Sequence, residues 1–166
     1  MSRLFIGIGS NVGDRQANII GAVRRIAVLP HLTVQSSSSI YETEPVGGPP
    51  QGRYLNCVLE ALSKTAPRRL LGELKGIEKE MGRRKSVRHG PRVIDLDILL
   101  CGDIVLDEDV LKIPHAELHK RAFVLIPLLE IDENLVHPTL HQPLKQLLAD
   151  CSTRPAVKPF APPPCL

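Results

Sequence analysis

Two aspartates two residues apart, set in an otherwise apolar run, constrain this chain more than any other feature. The stretch Arg92-Val93-Ile94-Asp95-Leu96-Asp97-Ile98-Leu99-Leu100-Cys101 has the β-branched and aliphatic character of a strand. Strand side chains alternate faces, so Asp95 and Asp97 point the same way, about 7 Å apart along the backbone. Two like charges on one partly buried face are costly unless a cation lies near them. Cations stand immediately upstream: Arg83, Arg84, Lys85, Arg88 and Arg92 occur with no acidic residue from Gly82 to Ile94. On spacing alone the pair could also be solvated on a surface strand. Val93 would then share its face, and Ile94, Leu96, Ile98 and Leu100 would form the core side. The adjoining basic loop favours a polyphosphate site instead, because Mg²⁺ uses one or two carboxylates plus phosphate oxygens and arginine forks match phosphate.

Around this strand the hydrophobic periodicity switches between two and 3.6 residues. Arg3–Gly9 reads as a first strand. Asp14 to about Leu29 reads as a helix with Asp14 as N-cap and Pro30 beyond its end. Leu32–Tyr41 is a second strand, weakened by serines, and Tyr54–Leu62 a third. Pro67 to about Met81 is a second helix, and Arg92–Cys101 the fourth strand. The order β-α-β-β-α-β is the ferredoxin-like arrangement of the α+β class. It predicts an antiparallel sheet with two helices on one face and the other face partly free. Leu118 to about Leu129 and Leu144–Ala149 are extra C-terminal helices. Residues 1–150 read as a single domain. Residues 151–166, with five prolines, read as a mobile tail. The Gly/Pro-rich segment Glu44–Arg53 and the basic loop Arg83–Gly90 are the natural lids.

Several alternatives fail on the residues. Gly7-Ile8-Gly9-Ser10-Asn11-Val12-Gly13 has its third glycine one position late for a dinucleotide fingerprint, and no phosphate-binding P-loop is present. His115, His119, His137 and His141 lack the spacing of a zinc-protease motif and read as surface or loop histidines. The four cysteines form no Cys-x-x-Cys pair and read as free thiols. Aromatic residues make up 3% of the chain, too few for a stacking groove, so a nucleic-acid partner is not expected. No apolar run is long enough to span a bilayer and none resembles a signal peptide, which predicts a cytoplasmic protein.

Read as ordered motifs, the chain resembles the hydroxymethyldihydropterin pyrophosphokinases. The resemblance runs from Leu4 to about Leu148. It is carried by Gly9-Ser10-Asn11, Tyr41-Glu42-Thr43-Glu44-Pro45, Tyr54-Leu55-Asn56, Gly82-Arg83, Gly90-Pro91-Arg92, Asp95-Leu96-Asp97-Ile98, Pro114-His115 and Arg121-Ala122-Phe123. It implies an enzyme that moves pyrophosphate from ATP to 6-hydroxymethyl-7,8-dihydropterin, with Asp95 and Asp97 holding two Mg²⁺ ions. Arg83 and Arg92 would contact the transferring phosphates. Glu78, Arg88, Arg92, Ile98, Leu111, Lys112, His115 and Arg121 would bind ATP. Thr43, Val46, Tyr54, Asn56, Asp95 and Phe123 would bind the pterin, with Tyr54 and Phe123 on its two faces. His89 stands where several relatives carry Trp. The implied partners are small molecules only, with no nucleic acid, no membrane and a monomeric chain.

Overall fold

A computed structural model describes residues 1–151 and 156–164. In chain order it contains β1 (Ser2–Ser10), α1 (Arg15–Ala27), β2 (Leu32–Ser37), β3 (Ile40–Thr43), β4 (Tyr54–Ser63) and α2 (Pro67–Glu80). These are followed by β5 (Asp95–Cys101), the short pair β6 (Leu106–Asp107) and β7 (Lys112–Ile113), α3 (Ala122–Ile131), α4 (Leu144–Asp150) and β8 (Val157–Ala161). The main sheet runs β5-β1-β4-β3-β8, with β2 also paired to β4, and its pairings are antiparallel. With β2 and β3 counted as one interrupted strand, this is the ferredoxin-like order expected from the periodicity.

The two long helices form where the sequence signals them. Asp14 Oδ1 accepts the Ala17 amide at 3.0 Å and caps α1, whose Ile19, Val23 and Ile26 face the sheet. Pro67 opens α2, where a missing N–H costs nothing, and Leu70, Leu74 and Ile77 face inward. Together with Leu4, Ile6, Ile8, Leu59, Leu96 and Ile98 they build the larger core. The smaller core lies on the opposite face, where Leu125 and Leu128 of α3 and Leu144 and Leu147 of α4 pack on Phe5, Val58, Leu99 and Leu100. The extra C-terminal helices thus cover part of the face that a minimal ferredoxin-like sheet leaves open.

The structure departs from the sequence expectations in four places. The second strand breaks at Ser38, a fully buried serine whose Oγ accepts the Val58 amide at 2.9 Å and donates to the Ser39 carbonyl at 2.8 Å. A side chain that bonds backbone locally competes with the ladder, which is why the serine run ends one strand and starts another. In β5, Phe5 pairs with Leu100 and Ile6 with Ile98, so Leu99 is an extra residue. The bulge resets the alternation, and Leu100 joins Leu99 against α3 and α4 instead of following Ile98. The third predicted helix starts late: Leu118–Lys120 is a single 3₁₀ turn, Arg121 is extended, and α3 then runs through Pro127 to Ile131. Finally, Val157–Ala161 of the expected tail is an edge strand on β3, despite Pro159. An outer strand has one edge without ladder bonds, so proline is tolerated there. Residues 152–155 and 165–166, also part of that expected tail, lie outside the described residues, as does Cys165. Cys57 and Cys101 are buried free thiols. Among the described residues no helix is long and apolar enough to cross a membrane.

Candidate active site

Where α3 and α4 stop covering the second face, the sheet surface becomes the floor of a cleft. In the register of β1 with β5, Asp95 lies opposite Gly9 and Asp97 opposite Gly7. On the other side of β1, Gly9 lies opposite Asn56 and Gly7 opposite Val58. Directly opposed residues share a face, so one row reads Asp95, Gly9, Asn56 and the next Asp97, Gly7, Val58. Glycine in the interior of a central strand weakens the strand and marks close approach of a ligand or another backbone. Here two glycines at period two strip the middle of the floor of side chains. A methyl on Gly9 would stand 3.0 Å from Asn56 Oδ1 and 3.6 Å from the Tyr54 ring. The sequence signal for this cleared floor is the i, i+2 spacing of the two glycines inside an apolar strand.

Three walls rise around the floor. Thr43, Pro45 and Val46 come from β3 and the loop after it, and Tyr54 and Asn56 from β4. Arg83, His89, Gly90 and Arg92 come from the basic loop, and His115, Arg121 and Phe123 from the chain entering α3. Asn56 Nδ2 donates to Thr43 Oγ1 at 2.9 Å, which fixes the orientation of its amide. The Arg121 guanidinium lies over the Phe123 ring, 5.7 Å from its centre. The backbone amide of His115 bonds the Leu99 carbonyl at 2.9 Å and ties this wall to β5.

The electrostatics are polarised. Burial, then the neighbouring Asp95 charge, pushes the Asp97 carboxyl up to about 7. Burial, then the Arg121 cation, pushes the His115 imidazole below its usual range. Its Nδ1 accepts the Glu117 amide at 3.2 Å, so the neutral ring carries its proton on Nε2 as a hydrogen-bond donor. Arg83 Nη1 bridges Asp95 Oδ1 at 2.8 Å and Glu78 Oε2 at 2.5 Å. Among the described residues no group of three or more His, Cys, Asp or Glu could hold a metal ion, so there is no all-protein cage. Two carboxylates on the floor of an arginine-walled cleft are nevertheless a donor set suited to Mg²⁺ when phosphate oxygens complete its shell.

The cleft gathers Arg83, Arg92, Asp95, Asp97, His115, Arg121, Thr43, Val46, Tyr54, Asn56 and Phe123 from distant parts of the chain. Other residues named from the sequence stand outside its lining. Glu78 is buried behind it, accepting the Leu96 amide at 2.7 Å and Lys75 Nζ at 2.9 Å. Ile98 and Leu111 belong to the larger core. Lys112 is exposed on β7 and paired with Asp107, and Arg88 is exposed on the basic loop. Beyond the residues named from the sequence, Gly7, Gly9, Gln51 and Leu99 also line the cleft.

A ferredoxin-like sheet with two carboxylates and a set of arginines on its open face defines a phosphoryl-transfer enzyme. Comparison with known proteins narrows the class. A family model described as 7,8-dihydro-6-hydroxymethylpterin-pyrophosphokinase (HPPK) matches residues 5–133, and the chain belongs to this family. The chain is 41% identical over 155 residues to the 2-amino-4-hydroxy-6-hydroxymethyldihydropteridine pyrophosphokinase of Aquifex aeolicus, covering 93% of this chain and 96% of that one. It is 39% identical over 136 residues to the protein of the same name from Methylorubrum extorquens, covering 82% and 86%. Among solved structures, a Plasmodium falciparum HPPK-DHPS crystallised with pterin and p-hydroxybenzoate superposes with a TM-score of 0.69 at 16% identity. That match covers 89% of this chain and 42% of the other, so this chain spans less than half of the solved one and the likeness is one of fold.

Proposed function

We propose that this cleft transfers pyrophosphate from ATP to the hydroxymethyl oxygen of 6-hydroxymethyl-7,8-dihydropterin, releasing AMP, in folate biosynthesis. The observation that carries the reading is the placement of Asp95 and Asp97 on a glycine-cleared floor beneath Arg83 and Arg92, in a chain of the pyrophosphokinase family. The hydroxyl oxygen forms a bond to the β-phosphorus, and the bond from that phosphorus to the oxygen bridging to the α-phosphate breaks. AMP leaves with that electron pair, and the hydroxyl proton passes to solvent or phosphate.

No side chain is required as a dedicated base. Catalysis rests on alignment and on charge placed where it develops. Asp95 and Asp97 would hold two Mg²⁺ ions, which supply charge neutralisation and orientation of the phosphates. Arg83 and Arg92 bind the transferring group, and His115 and Arg121 the remaining phosphates and ribose. The nucleotide extends toward Glu78, Ile98, Leu111 and Lys112, with Arg88 reaching over it. The Asn56 amide presents donor and acceptor to the pterin edge. Thr43 and Val46 border it, and Tyr54 and Phe123 take its two faces. A cytoplasmic monomer is part of the same reading.

The test is AMP production from ATP, Mg²⁺ and 6-hydroxymethyl-7,8-dihydropterin. AMP should appear only with all three, and its absence with folded protein would sink the activity. The cleared floor makes a second prediction. Gly9→Val puts branched carbon against the Asn56 amide and the Tyr54 ring. It should raise the KM for pterin at least about tenfold, the scale of lost contacts worth about 1.4 kcal/mol or more, with a smaller change in the KM for ATP. Equal changes in both would show that the floor is not the pterin subsite.

A further inference from the structure

Tyr41 lies opposite Asn56 and so extends the floor row of Asp95, Gly9 and Asn56, yet it stands outside the cleft lining. Its hydroxyl donates instead to Glu130 Oε2 of α3 at 2.6 Å. Glu130 Oε1 accepts the Ser39 hydroxyl at 2.6 Å, and the Ser39 N–H donates to both carboxylate oxygens at 3.0 Å and 3.1 Å. Ser39 stands in the gap between β2 and β3, so the break at Ser38 leaves its N–H available to a side chain. Burial, then the Glu130 carboxylate, pushes the Tyr41 hydroxyl up to about 12, so it stays a donor at neutral pH. From Ala122 to Ile131 the only polar side chain of α3 is Glu130, so apolar patterning does not say which side of this helix meets the sheet. Apolar contacts are non-directional, whereas hydrogen bonds from three donors to one carboxylate fix an azimuth. Pro127 lacks the N–H that would bond the Phe123 carbonyl, so the first turn leans less on its own ladder. Phe123 and Glu130 are seven residues apart, nearly two turns, and share one side of the helix.

We infer that Glu130 is a positioning residue for the pterin subsite: through Ser39 and Tyr41 it sets the rotation of α3, and with it the place of Phe123 across the cleft from Tyr54 and Asn56. The inference rests on the proposed reaction, in which Phe123 takes one face of the pterin. Glu130 itself touches no substrate. The nucleotide side is anchored separately, because Arg121 precedes α3 in a segment that the His115 amide ties to the Leu99 carbonyl of β5. Rotation of α3 therefore bears on the pterin more than on ATP. The role needs the geometry of the carboxylate and not its charge. A glutamine amide can make the same contacts, its Oε1 accepting from Ser39 and its Nε2 donating to the Tyr41 oxygen.

Steady-state AMP production by the full chain tests this, with the KM for 6-hydroxymethyl-7,8-dihydropterin and the KM for ATP measured side by side. In Glu130→Ala the pterin KM should rise at least about fivefold, the scale of hydrogen bonds lost from a partly solvated site, while the ATP KM stays within about twofold. Glu130→Gln should return the pterin KM to within about twofold of the parent. Tyr41→Phe removes one bond and should raise the pterin KM about threefold, again without the ATP KM. Thermal midpoints should stay near the parent's, because Leu125 and Leu128 remain packed and Arg3 still holds Asp132 at the helix end. Should Glu130→Ala fail to fold, Tyr41→Phe decides the matter alone. An unchanged pterin KM, or equal rises in both KM values, would overturn the positioning role while leaving the reaction standing. A pterin KM as high in Glu130→Gln as in Glu130→Ala would assign the effect to charge and overturn it too. No AMP from the folded parent would overturn the reaction and this role with it.

Discussion

Asp97→Asn should stop turnover and, in the ligand-free protein, raise stability at neutral pH. Burial and the Asp95 charge push the Asp97 carboxyl up to about 7, well above the usual carboxylate range. Between about pH 4 and pH 7 the folded chain therefore holds a proton that the unfolded chain has released. Stability that is fully present below pH 4 is lost as pH rises through this window. Each tenfold in proton affinity corresponds to about 1.4 kcal/mol, so the loss is on the order of 1–4 kcal/mol, smaller where solvent reaches the group. Asparagine has no proton to release and no charge to set against Asp95. Its melting temperature should therefore match the parent near pH 4.5 and exceed it by several degrees at pH 8. Loss of a metal-holding carboxylate should at the same time cut AMP formation on the order of 10³-fold or more. Equal stabilisation at both pH values would refute the titration argument. Turnover within tenfold of the parent would refute the metal assignment.

That opposition between stability and function is what a site looks like when the fold alone does not satisfy it. It also explains why the pair was legible in the sequence. Two carboxylates at period two in an aliphatic strand violate the local pattern, and the violation is the signal. The β-α-β-β-α-β order was legible for the complementary reason: α1 and the long strands obey their periods and caps. What could not be read depends on partners remote in sequence. β8 has no periodicity of its own and exists because β3 offers an unpaired edge. The bulge at Leu99 is a property of the β1–β5 register and of neither strand separately. Glu78 left a trace that could have been followed, since it extends the inward stripe of Leu70, Leu74 and Ile77 on α2. A charged residue on such a stripe must be paired, and here it pairs with Arg83, Lys75 and the Leu96 amide lying between the two aspartates.

Arg83→Ala should give the other large effect, with opposite signs in catalysis and in cation binding. Arg83 Nη1 is bound at once to Asp95 and Glu78, while the fork carries two further nitrogens able to meet phosphate oxygens. In the ligand-free protein this guanidinium neutralises Asp95, so a divalent cation reaching that carboxylate must compete with it. Removing the guanidinium should tighten Mn²⁺ binding several-fold in titration calorimetry without nucleotide. By the same step kcat should fall on the order of 10³–10⁵-fold, as for other arginines that stabilise a transferring phosphoryl group. Arg83→Lys should recover little of the rate, because one compact ammonium cannot hold two carboxylates and also meet phosphate oxygens in a planar fork. Glu78 keeps Lys75 and the Leu96 amide in both variants, so the fold should survive and a melting curve near the parent's is expected. Weakened cation binding in Arg83→Ala would show that the arginine supports the metal site, where competition requires the reverse. A kcat within tenfold of the parent would remove Arg83 from the transition state.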